Sequence, residues 1–155
     1  MSTTRPLPLA QLVVGVVAHR DLAPESRPQV EAAVREFLLG LRAAYPALPV
    51  AVMSALAEGG DRWVAHCALA LDMALIAPLP LPPAQYEADF ADAASRTEFA
   101  ALCAKAQVRV LPHAAGTDAG DRERQYARVG VFIASHCQLL LALWDGRPSE
   151  GLGGT

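Results

Sequence analysis

Several features that a protein can be organised around are scarce in this 155-residue sequence. There are three cysteines, Cys67, Cys103 and Cys137, an odd number, widely spaced and without a CxxC pair. That pattern fits reduced thiols in a cytosolic core and argues against a disulfide framework. Basic residues are outnumbered, 13 Lys and Arg against 16 Asp and Glu, and no run of them stands out. A duplex-binding protein needs a basic face to neutralise phosphates, so the net charge of −3 argues against general nucleic-acid binding. Uninterrupted apolar sequence is also lacking. The most apolar stretch, 63–81, contains His66, Asp72, Pro78 and Pro80, a combination that a span of about 20 residues rarely tolerates. The opening MSTTRPLPLAQ has one Arg, two prolines and no apolar core, so it does not read as a secretory signal. A cytoplasmic chain away from the membrane is expected.

What is present is a folding composition: 53% hydrophobic and 19% charged residues, in a length typical of one domain. Residues 1–10 read as a tail and 11–155 as a single domain. The run 11–17 (QLVVGVV) is apolar and β-branched, as in a strand covered on both faces. Prolines 24 and 28 then introduce a helix in which Val30, Ala33, Val34, Phe37, Leu38 and Leu41 form one stripe. Further strands are expected at 50–54, 73–77, 108–111 and 138–143. Helical stripes fall at 64–71 and 126–137, with a broken helix over 83–106. Ser95 and Glu98 have capping-box spacing, which predicts a fresh helix start at Ser95. Alternation of this kind implies right-handed crossovers and a mainly parallel five-stranded sheet in an α/β/α sandwich. The expected strand order is 3-2-1-4-5.

In open parallel sheets, ligands sit beyond the carboxyl ends of the strands, where the strand order reverses. Three polar clusters fall at such ends: 18–21 (AHRD), 57–62 (AEGGDR) and 144–155 (WDGRPSEGLGGT). In the second, glycines 59 and 60 permit close backbone approach, and the following helix offers unpaired N–H groups. The plainer alternative is an ordinary helix start, with Glu58 and Asp61 complementing its dipole. The last cluster suits phosphate oxygens held by backbone amides, or else a flexible tail.

Arg20 suits a phosphate or carboxylate clamp, or an ion pair with Asp21 or Asp61. Glu58 with Asp145 is a candidate acid/base pair on a glycosidic bond, although two carboxylates at separate strand ends are commonplace. His66-Cys67 and His136-Cys137 lack further spaced ligands, so no metal site is expected. Neither Ser54 nor Ser135 has the G-x-S-x-G setting of an acyl-transfer nucleophile. Trp63 and Trp144 suit stacking on a ring, Trp63 equally a core cap. Arg124 and Tyr126 lie on a solvated helix face within reach of a pocket rim. Ala- and Leu-rich helices offer a homodimer surface.

Taken together, AHRDL, SALAEGGDRWVA, the PLPLP loop with its YEADF, and ALWDGRPSEGLGGT resemble the SLOG superfamily. That superfamily groups Rossmann-like domains of DNA-processing protein A with the Lonely Guy phosphoribohydrolases. The likeness is to a bacterial branch with GHRDL, LAEGADR and LWDG…GxGGT motifs, and it extends from about 13 to 155. It implies a nucleotide or nucleotide-derived small molecule as ligand, with no separate cofactor, and a sensor or regulatory role. An N-glycosidic phosphoribohydrolase and a structural module are the alternatives. The resemblance puts His19 and Arg20 beside the ligand. Glu58, Gly59 and Asp61 form a second wall, and Asp145, Gly146, Gly153, Gly154 and Thr155 close the phosphate end. Glu58 would be the catalytic carboxylate of an enzyme. Ala18 departs from the branch's Gly, and Gly60 from its usual Ala. Lonely Guy enzymes also use a glutamate just beyond the glycine-rich loop, where this sequence stops, so a shortened chain is expected.

Overall fold

The computed structural model describes residues 10–112 and 119–148. Five strands, β1 (Leu12–Ala18), β2 (Val50–Met53), β3 (Ala74–Leu79), β4 (Gln107–Val110) and β5 (Leu139–Leu143), form one sheet in which every pairing is parallel. The helices between them are α1 (Arg27–Ala44), α2 (Gly60–Ala70), the single turn α3 (Pro83–Tyr86), α4 (Ala93–Lys105) and α5 (Ala119–His136). None of the described helices is long and apolar enough to cross a membrane.

The expected α/β/α sandwich is the one found, but the strand order is not. The order is β4-β3-β2-β1-β5, so β4 continues the walk beyond β3 and β5 takes the place beside β1. Hydrophobic spacing reports that a crossover exists, and it does not report which crossover turns back. One signal did point to an edge: β4 is QVRV, half polar, and three of its four residues are exposed.

Right-handed crossovers account for the layers. The three connections that step from β1 to β4 carry their helices on one face, and the single connection that returns to β5 lands on the other. Val14, Val16, Val52, Leu75 and Leu79 accordingly pack with Val34 and Leu38 of α1, Val64 and Ala68 of α2, and Phe99 and Leu102 of α4. On the opposite face Ala51, Met53 and Ile76 pack with Val129 and Ile133 of α5. There α5 sits directly on the sheet: a Cβ on Gly15 would fall 2.7 Å from Ile133 Cγ2 and 2.8 Å from Cys137 Sγ. The three cysteines are free thiols.

The strand order reverses between β1 and β5. Their carboxyl ends, with that of β2 alongside, are where a parallel sheet of this kind leaves a crevice.

Candidate functional site

The first wall is the end of β1. His19 N–H donates to the Leu143 carbonyl (3.1 Å), extending the β1–β5 ladder by one residue. Its imidazole Nδ1 then lies 3.2 Å from Asp145 Oδ1, so the two strand ends are joined side chain to side chain. Asp145 also accepts from Arg147, at the backbone N–H (3.0 Å) and at Nε (2.7 Å). Those bonds, with the positive charges of Arg147 and His19, hold its carboxyl below the usual range. Trp144, exposed, donates from Nε1 to the Arg147 carbonyl (2.6 Å), and Gly146 closes the turn at φ +88.

The second wall runs from β2 into α2. Ser54, fully buried, receives the Leu56 N–H (3.2 Å) and donates to the Asp61 carbonyl (3.1 Å). Between them Leu56 adopts φ +58 with its side chain buried. Gly59, at φ +84, lies against the first wall, and the Gly60 N–H donates to the His19 carbonyl (3.3 Å). The glycine pair thus admits the chain's own β1 loop; a methyl on Gly60 would meet Ala18 Cβ at 2.6 Å.

Glu58 is engaged away from the crevice centre. Its Oε1 accepts from the Ala91 N–H (2.9 Å) and, in a short contact, from the Ser95 hydroxyl. Burial raises its carboxyl, but those two bonds and the charges of Arg62 and Arg20 carry it below the ordinary value. Asp61 behaves oppositely. Buried at 6% exposure, it accepts only the Ala57 N–H at Oδ2 (3.3 Å), and burial pushes its pKa up to about 7.

Arg62 closes the 57–62 cluster, within which the sequence did not single it out, and it is the best-connected group in the region. Only 2% exposed, it donates from Nε to the Leu56 carbonyl (3.0 Å) and from Nη1 to Ser95 and to Glu98 Oε2 (3.0 Å). Its guanidinium lies 4.4 Å from the Phe90 ring centroid. His66 approaches the other oxygen of Glu98 (2.8 Å), completing a chain from His66 through Glu98, Arg62 and Ser95 to Glu58. Ser95 and Glu98 therefore do not form a capping box. Asp92 is the N-cap of α4, accepting the Ser95 N–H (2.8 Å), and the S-x-x-E spacing marks residues that bind Arg62.

Arg20 is exposed and pairs with neither Asp21 nor Asp61; its guanidinium carbon lies 5.9 Å from the centroid of Tyr126. Trp63 is a core cap under Arg27 and not part of the site. Glu58 and Asp145 each have their own partners, Ala91 and Ser95 for the one, His19 and Arg147 for the other. Gly153, Gly154 and Thr155 lie outside the described residues, as does His113. Among the described residues no group of three His, Cys, Asp or Glu side chains is placed to hold a metal ion.

Neither a protein-family model nor a curated protein matches this sequence. Solved structures do. DNA processing protein A from Streptococcus pneumoniae superposes with a TM-score of 0.57 at 19% identity, over 85% of this chain and 41% of that one. The same protein from Helicobacter pylori, described for its single-stranded DNA binding mode, gives 0.52 at 15% identity, over 86% of this chain and 54% of that one. This chain therefore spans about half the length of its structural neighbours. One expectation is corrected here. The charge argument excluded nucleic acid on the requirements of a duplex, yet a protein of this fold binds a single strand, so the exclusion does not stand. The fold is the Rossmann-like fold of DNA processing protein A, as the SLOG resemblance implied.

Proposed function

We propose that this chain binds a nucleotide or nucleotide-derived small molecule in the crevice at the carboxyl ends of β1, β2 and β5, and that it serves as a sensor or regulatory module. The observation that carries this reading is the His19–Asp145 pair at 3.2 Å, which sets two ionisable side chains across the point where the strand order reverses. Arg20, exposed beside them and held by no described carboxylate, supplies a planar cation for a phosphate. A general-acid role for Glu58 in glycosidic cleavage is disfavoured, because its carboxyl is lowered and doubly hydrogen-bonded and so holds no proton for a leaving base at neutral pH. A second reading, a single nucleic-acid strand in the same crevice, is favoured by the Helicobacter pylori neighbour.

The test is a thermal-shift panel of nucleoside mono-, di- and triphosphates, cyclic nucleotides and a short single-stranded oligonucleotide. It is run on the wild type, Arg20→Ala and His19→Ala. A mononucleotide at 100 times its Kd adds about 2.7 kcal/mol to stability, and the shift is expected to vanish in Arg20→Ala. A shift with the oligonucleotide alone supports the second reading. Free base released from a nucleoside monophosphate restores the enzyme. No shift with any of them, or one that both variants leave intact, defeats the assignment.

A further inference from the structure

The sequence has two tryptophans, and the structure treats them oppositely. Trp63 caps the core at 8% exposure, whereas Trp144 leaves 59% of its surface in solvent. A single exposed apolar side chain is ordinary, but it is ordinarily free to turn. Trp144 is held. Its Nε1 donates to the Arg147 carbonyl (2.6 Å), across a turn that Asp145 fixes by accepting the Arg147 N–H at Oδ1 (3.0 Å) and Nε at Oδ2 (2.7 Å). Gly146, at φ +88, lets that turn close.

The residues on either side put the turn on the rim of the crevice. Before it, Leu143 accepts the His19 N–H (3.1 Å), and its Cδ1 lies 3.1 Å from the place of a Cβ on Gly60. After it, Asp145 meets the His19 imidazole at 3.2 Å. Trp144 is thus anchored where the ends of β1 and β5 join. Tryptophan has one hydrogen-bonding group, the Nε1–H donor, and no acceptor. Here that donor is spent on the chain's own backbone, so what the indole has left to offer is its π faces. A π face takes a flat ring by stacking, whichever polar groups the edge of that ring carries.

We propose that Trp144 is the platform on which the base of the ligand stacks, so that the crevice demands a ring and tolerates which base supplies it. This rests on the nucleotide-binding reading above and adds to it the part of the ligand that is recognised. A sugar phosphate without a ring lacks the stacking partner. The ring has two sources, a free nucleotide or a base of a single strand, and the chemistry of the platform is the same for both.

The experiment is titration of the wild type, Trp144→Phe and Trp144→Ala by calorimetry and by tryptophan fluorescence, the Trp144→Phe signal giving the Trp63 background. The probes are adenosine and cytidine monophosphates, ribose 5-phosphate and a short single-stranded oligonucleotide. Both monophosphates are expected to change the Trp144 emission, and ribose 5-phosphate at the same concentration to leave it unchanged. Trp144→Ala should weaken both monophosphates by about 5- to 100-fold, and Trp144→Phe, which keeps a ring, by less than about fivefold. The emission change is read on the wild type, so it decides the matter even where Trp144→Ala folds poorly. A loss confined to the oligonucleotide keeps the platform and assigns the ring to a strand. Monophosphates that bind with the Trp144 emission unchanged and with equal affinity for Trp144→Ala overturn the platform and leave the binding reading standing, and so does ribose 5-phosphate bound as tightly as they are. If neither a monophosphate nor the oligonucleotide binds the wild type, both fall together.

Discussion

The Cα of Gly59 faces the carbonyl of Arg20 so closely that a Cβ there would lie 2.3 Å from the oxygen. With φ at +84, a conformation that L side chains rarely adopt, the position carries two separate demands for glycine. Gly59→Ala is expected to destabilise the fold by about 2–4 kcal/mol, as clash and backbone strain add. Gly40, inside α1 with open space around it, is the control: Gly40→Ala should raise stability by about 0.5–1 kcal/mol. Urea unfolding of both variants checks the pair, and equal effects would contradict the contact.

Arg62 ties α2 to the β2 loop and to α4, and its loss leaves the Leu56 carbonyl and the Ser95 hydroxyl region without their buried donor. Arg62→Ala should cost about 3 kcal/mol, the low end for breaking a buried pair, since Glu98 is 36% exposed and can rehydrate. Glu98→Gln, altering the more exposed partner, should cost less than about 1 kcal/mol. A denaturation series in which the two losses came out alike would show that the chain through Glu98, and not Arg62 itself, holds the region.

Asp61 makes stability depend on pH in an unusual direction. Its folded-state value of about 7 lies above the ordinary 3.8 because burial penalises the charge. Between those values the folded chain keeps a proton that the unfolded chain has released, so this group's contribution falls as pH rises from about 4 to about 7. Glu58, Glu98 and Asp145 act oppositely, since their lowered values favour the folded state above the ordinary carboxylate range and the benefit is lost on acidification. Subtracting the Asp61→Asn curve isolates the buried group. The difference should decline by on the order of 1 kcal/mol per pH unit across that window, and parallel curves would be evidence that Asp61 titrates normally.

Asp92, as the N-cap of α4, should be worth about 1 kcal/mol on replacement by alanine and almost nothing on replacement by serine. Thermal melts of the two variants decide it. A comparable loss in Asp92→Ser would place its contribution elsewhere than the cap.

The helix over 93–105 shows how far the sequence could be read. A helix start near Ser95 was expected from the S-x-x-E spacing, and a helix does start close by, at Ala93, but on the cap of Asp92 and not of Ser95. What was not legible is that Arg62, thirty-three positions earlier, claims both side chains. Arg62 closes the polar cluster 57–62, where nothing local separates it from a solvated cation; its partners Ser95 and Glu98 belong to α4, far along the sequence. The alternation of strands and helices, and the collection of His19, Glu58, Asp61 and Asp145 at strand ends, followed from local pattern. The strand order did not, because the position of the returning crossover depends on which faces the helices can cover.

The pairing of β1 with β5 also dates the crevice. Val13 and Gln138, 125 positions apart, exchange hydrogen bonds at the amino end of that ladder, the Val13 N–H to Gln138 Oε1 and the Gln138 N–H to the Val13 carbonyl. The four-strand walk from β1 to β4 consists of neighbours in sequence and can assemble as synthesis proceeds. The ladder that brings Asp145 to His19 closes the longest loop in the sheet, and long-range parallel pairing is slow to form. The edge where His19 meets Asp145 therefore exists only once β5 has been made, and a nascent chain stalled short of β5 has the β1–β4 walk without it.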